Sequence, residues 1–150
     1  MKKDLQQGFT LIELLVVIGI IAVLAAIVLI AINPKRQFQQ ANDARRRSDV
    51  NAILNAVSQN IVDNKGTFTC AGVTITSTAT NIGAGSGNID IRSCIVPTFI
   101  SEIPVDPTTG TAWTGSTYST GYKISYDSTA QRYTISATPE VVGATISVSR

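Results

Sequence analysis

Nineteen consecutive residues, Leu14 to Ile32 (LLVVIGIIAVLAAIVLIAI), contain no charge and no strongly polar side chain. A helix crosses the hydrocarbon core of a bilayer with about 20 such residues, so this segment reads as a membrane-spanning helix. Gly19 does not interrupt it, because lipid offers the backbone no competing hydrogen bonds. The run also explains why hydrophobic residues make up 44% of the chain and charged ones only 15%, against roughly 25% charged in an average soluble domain. A secretory signal peptide is the alternative, with Lys2 and Lys3 as its charged start and Ala22 to Ala26 as small residues for a cut. Its apolar region would be about 7 to 15 residues long, whereas this one continues through Val28, Leu29 and Ile30. The 150 residues leave room for one modest further domain.

Several function classes fall at once. The chain has no histidine, which excludes Ser-His and Cys-His nucleophiles and His-ligated metals. Twelve basic against ten acidic residues leave +2, too little for a nucleic-acid binder argued from composition. Asp106, Asp127 and Glu140 are scattered in turn-like contexts with no convergent base or nucleophile. Asp127, Glu140 and the Gly143 region also lack the dense oxygen-ligand spacing of a calcium loop. No catalytic residue, no metal site and no cofactor is expected.

Ahead of the apolar run, MKKDLQQG is short and polar, and Phe9 opens an apolar stretch that contains one acid, Glu13. A carboxylate within lipid is unfavourable and is a functional hypothesis by default; the alternative is that Glu13 sits at headgroup level and snorkels to water. The string KKDLQQG followed by FTLIELLVVIGIIAVLAAI resembles the prepilin leader and N-terminal helix of type IV pilins and type II secretion pseudopilins. The resemblance covers Lys2 to about Ile32: basic residues near the start, Gly8 last in the leader, Phe9 first in the mature chain, and Glu13 its fifth residue. It implies a prepilin peptidase that cuts between Gly8 and Phe9 and N-methylates Phe9. It implies a precursor in the cytoplasmic (inner) membrane and, after work by a pilus assembly platform and its ATPase machinery, a homo-oligomeric helical filament at the cell surface. In such a filament the Glu13 carboxylate of one subunit would neutralise the Phe9 amine of a neighbour and set axial register. The rivals are a pseudopilin of a periplasmic pseudopilus, which shares the same N-terminus, and a single-pass membrane-anchored binding module.

Charge near the span conflicts with this orientation. Lys2 and Lys3 precede it, while Lys35, Arg36, Arg45, Arg46 and Arg47 follow it, so the positive-inside rule favours a cytoplasmic C-terminal domain. The resemblance and the Cys-, Thr- and Ser-containing C-terminal region favour translocation instead.

The expected organisation is α+β and pilin-like: leader 1–8, membrane and filament-core helix 9–32, amphipathic continuation 33–65, and a small antiparallel β-sheet head 66–150. Pro34 is expected to bend the helix. Ala41, Ala44, Val50, Ile53, Leu54, Val57 and Ile61 form a stripe at helical spacing that would pack on the head. Lys65-Gly66 closes the helix, with the glycine as its left-handed residue. Asp43 precedes Arg47 by four, Arg45 precedes Asp49 by four and Arg46 precedes it by three. The arginine triplet thus reads as paired charge on a solvated face, and as only a short footprint for DNA. Strands are expected at Thr67–Thr76, around Tyr122–Tyr126 and Tyr133–Ala137 as a hairpin, and at Ala144–Ser149, with Ser77–Asn88 a loop. Ile103 to Gly110 reads as a turn-rich connector. Cys70 and Cys94 would form a disulfide in a translocated domain, free thiols being the alternative.

Overall fold

The computed structural model describes residues 8–150; Lys2, Lys3 and the rest of the leader ahead of Gly8 lie outside the described residues. The chain divides between Phe38 and Gln39 into two compact units.

The first unit is dominated by α1, Leu11–Ile32, whose 22 residues span about 33 Å at the α-helical rise. None of its side chains is buried, and it is long and apolar enough to cross a membrane. The helical run is interrupted at Asn33-Pro34: α1 stops and a second helix starts. Asn33 adopts left-handed backbone geometry (φ 46°), which asparagine tolerates better than most residues. Pro34 then opens α2, Pro34–Asp63, where a missing N–H costs nothing. The Asn33 carbonyl and side-chain oxygens accept from Arg36 N–H at 3.1 and 3.4 Å, so Asn33 ends one helix and caps the next.

The second unit packs α2 against a four-stranded antiparallel sheet of order β1-β2-β3-β4: Thr80–Gly83, Ser119–Asp127, Arg132–Ala137 and Ile146–Ser149. The β2–β3 hairpin stands where the alternation placed it, with Ile124 opposite Ile135 and Tyr126 opposite Tyr133. One face of the sheet supplies Tyr122, Ile124, Ile135 and Ile146 to a core shared with Val50, Ile53, Leu54 and Val57 of α2. A short α3, Arg92–Ile95, adds Ile95; nothing in the sequence pattern announced it.

Three expectations about this unit are corrected. Thr67–Thr76 is not a strand, despite its β-branched residues. Its backbone is engaged by a helix side chain instead: Asn60 Oδ1 accepts from Thr69 N–H at 3.0 Å, and Asn60 Nδ2 donates to the Thr69 and Cys94 carbonyls. The first strand lies inside the expected loop, at Thr80–Gly83, paired with β2 through an irregular register. Gly83 is required there, because a Cβ would sit 2.7 Å from the Tyr118 carbonyl. The last strand begins at Ile146 rather than Ala144, after a turn closed by Ala144 N–H on the Val141 carbonyl.

The end of α2 is a Schellman closure. Gly66 N–H reaches the Ile61 carbonyl at 2.8 Å and Lys65 N–H the Val62 carbonyl at 3.3 Å, which places Lys65, not Gly66, at the left-handed position glycine usually takes. Lys65 has φ 59° and Gly66 φ 98°. The segment that follows is tied down by the Cys70–Cys94 disulfide, Cα atoms 5.4 Å apart.

Candidate functional site at the N-terminal helix

Thr10 and Glu13 build the start of α1. Thr10 is the N-cap, and Thr-Leu-Ile-Glu forms a complete capping box. Thr10 Oγ1 accepts from Glu13 N–H at 3.3 Å, while Glu13 Oε2 accepts from both the Thr10 backbone N–H and the Thr10 hydroxyl at 2.7 Å. The first turn of a helix leaves backbone donors unpaired, which is most costly where water is absent. The box satisfies two of them and holds the carboxylate over the Phe9–Thr10 end of the helix. Its negative charge also lies at the positive end of the helix dipole. Phe9 itself is 89% exposed and Gly8 is exposed beside it. The acid and the Gly8–Phe9 bond therefore share one short, unobstructed segment. The sequence signal for Thr10 is the T-x-x-E signature of a capping box, which the oddity of Glu13 in an apolar run does not by itself reveal.

A second constellation, in the other unit, was also missed. Arg46 is not on a solvated face: its side chain is 2% exposed. It donates to Asp43 Oδ1 (2.9 Å), to both carboxylate oxygens of Asp106, to Thr108 Oγ1 (2.7 Å) and to Glu140 Oε1 (2.8 Å). Asp43, expected opposite Arg47, is buried here and also accepts from Glu140 and Val141 N–H at 2.9 and 3.0 Å. Asn42 completes the group through the Glu140 carboxylate. Burial disfavours the charged Asp106 carboxylate, but the Arg46 bonds and donors from Thr108 and Thr109 outweigh it and hold its pKa well below the usual aspartate value. Burial likewise opposes ionised Asp43, and the Glu140, Val141 and Arg46 donors again prevail. The Arg46 guanidinium is driven further up by Asp106.

The connector Ile103 to Gly110 is thus more than a turn. Asp106 caps it by accepting from Thr108 and Thr109 N–H, and it also clamps Arg46. Backbone must approach closely for this: a Cβ on Gly121 would lie 2.8 Å from Asp106 Cβ, at a φ of 75°. Of the triplet, Arg45 keeps the expected partner Asp49, at 3.8 Å. Asp49 also accepts from the Tyr122 hydroxyl at 2.7 Å. The network chemically fastens α2 to two distant loops; it presents no nucleophile and no open acid-base pair.

An exposed apolar helix with a capped acid at its start, joined to an α2-on-antiparallel-sheet unit, defines a pilin-like α+β protein. Residues 3–29 match the family model described as the prokaryotic N-terminal methylation motif; the chain carries the leader of type IV pilin- and pseudopilin-type precursors. No curated protein and no solved structure gives a significant match.

Proposed function

We propose that the chain is a structural subunit of a type IV pilus-like filament, cut between Gly8 and Phe9 by a prepilin peptidase, N-methylated at Phe9 and assembled through α1. The observation that carries this is the methylation motif at residues 3–29, which runs through most of a helix that has no buried residue of its own. So much apolar surface needs lipid before assembly and copies of itself afterwards. Cutting after Gly8 removes Lys2, Lys3 and Asp4 and bares an ammonium at Phe9. In the filament, the Glu13 carboxylate of one subunit neutralises the Phe9 ammonium of the next, and the capping box holds that carboxylate ready. The pilus reading is preferred to a pseudopilus because major pseudopilins tend to hold calcium through an acidic loop near the C-terminus, whereas the acids nearest the C-terminus of this chain are engaged elsewhere. Glu140 bonds Arg46 and Asn42, and Asp127 caps its own turn through Thr129 and Ala130 N–H.

Mass spectrometry of sheared surface filaments tests the reading. The expected result is a peptide from this chain that begins with N-methyl-Phe9, together with loss of filaments in Glu13→Ala. A full-length chain confined to the membrane would refute processing and assembly together; unaltered filaments in Glu13→Ala would refute the register role alone.

A further inference from the structure

The cations that conflict with the positive-inside rule stand in a particular place. The break at Asn33 puts Lys35, Arg36 and Phe38 on the first turns of α2, within the same compact unit as α1. All three side chains are exposed, Phe38 by 72%. Lys35 and Phe38 lie three apart and so share one side of the helix. Neither cation has a carboxylate partner among the described residues, and the sequence carries no acid between Glu13 and Asp43. Asp43 is itself buried and taken up by Arg46 and by the Glu140 and Val141 N–H groups. The 22 residues of α1 span about 33 Å, against roughly 30 Å of hydrocarbon and 40–45 Å with the headgroups. Residues just past Ile32 therefore fall in the headgroup layer, at the depth of the lipid phosphates.

We propose that Lys35, Arg36 and Phe38 form a docking surface for anionic phospholipid headgroups, with the two cations on lipid phosphates and the Phe38 ring at the top of the acyl chains. The inference rests on the membrane-embedded precursor proposed above. In that orientation both cations lie on the outer side of the bilayer, where the positive-inside rule disfavours them; lipid phosphates supply the countercharge that the chain does not. Long basic side chains at a span end reach into the headgroups, and anionic lipid attracts them within a Debye length of the surface. An exposed phenylalanine beside basic residues is the composition of an interfacial helix. A second copy is the poorer occupant, because side by side at the same depth it brings the same two cations and no acid.

The chain has one tryptophan, so Trp113→Phe combined with Phe38→Trp gives a single reporter at this surface. The full-length protein is placed in nanodiscs of phosphatidylcholine brominated near the headgroup, with or without phosphatidylglycerol in both leaflets, and tryptophan quenching is read. Quenching is expected to be about twofold stronger or more with phosphatidylglycerol. Adding Lys35→Gln/Arg36→Gln is expected to abolish the difference at an unchanged melting temperature, and about 1 M salt is expected to abolish it in the reporter protein. Lys2→Gln/Lys3→Gln, at the other end of the span, is expected to keep it. The inference is overturned by quenching indifferent to phosphatidylglycerol, or by a difference that survives Lys35→Gln/Arg36→Gln. It is overturned equally by a difference that inorganic phosphate abolishes at constant ionic strength, or by quenching that follows the number of copies per disc. The chain is uncleaved and both leaflets are anionic, so the outcome is independent of cleavage, orientation and assembly; absence of N-methyl-Phe9 filaments would refute the filament reading and leave this one standing.

Discussion

Replacing Arg46 by alanine tests the buried network most severely. The substitution deletes five hydrogen bonds and leaves Asp43 and Asp106, whose side chains are 2% and 3% exposed, without their countercharge. Breaking a buried pair from one side costs about 3–5 kcal/mol, because the stranded charge remains desolvated. A loss near 4 kcal/mol is a large share of the stability of a domain this size and lowers its melting temperature by on the order of 15 °C. Thermal and urea unfolding of the full-length protein, followed by near-ultraviolet circular dichroism, reads this directly. Arg46→Lys keeps the charge but not the planar fork, and is expected to lose about half as much.

The pH dependence separates a charge effect from simple loss of packing. In the parent, the folded pKa values of Asp43 and Asp106 are depressed. Their stabilisation is therefore complete above the unfolded value of about 3.9 and is lost as pH falls from there through the folded values. In Arg46→Ala the guanidinium donors are gone and only the Glu140 and Val141 N–H groups on Asp43 and the Thr108 and Thr109 donors on Asp106 still oppose burial, so these carboxylates are held down less than in the parent. The deficit relative to the parent should then be greatest above about pH 4 and shrink as pH falls below it. A loss under about 1 kcal/mol, or a deficit that stays the same as pH falls from neutrality to well below about 4, would falsify this account of the network.

Two further substitutions probe the same unit. Lys65→Gly is expected to stabilise it by about 0.5–1 kcal/mol, since the side chain at the left-handed Schellman position is exposed and glycine relieves its backbone; an unchanged or lowered urea midpoint would count against that closure. The double variant Cys70→Ser/Cys94→Ser is expected to lose about 3–4 kcal/mol, the loop-closure value for the 24-residue separation, and to become insensitive to reductant. A parent whose midpoint does not respond to reductant would contradict the bond.

What the sequence revealed follows from how local each signal is. α1 was legible because composition alone fixes it, and the Val50–Val57 stripe because its apolar side matches its buried side. The β2–β3 hairpin was legible from strict alternation across a short link. Asp43 and Arg46 continue the buried side of α2 at helical spacing, but polarity hides it: Ala41 and Ala44, the apolar candidates there, are exposed. The partners that justify burying Arg46, Asp106 and Glu140, lie 60 and 94 residues away, beyond the reach of any window. β1 failed for the complementary reason. Four residues ending in a glycine carry little strand preference of their own, and tertiary pairing alone makes them a strand. At the candidate site the acid was found from its oddity in an apolar run, whereas Thr10 needed the capping signature.

The ionic clasp also has a mechanical side. Along the backbone from α1, tension entering the second unit reaches Asp43 and Arg46 before it reaches Val50 and the apolar core. Directional bonds resist small displacements stiffly and reform once the pull relaxes, whereas an oily seam gives way gradually. A subunit tugged by its tail would therefore yield first at a rivet that can snap shut again.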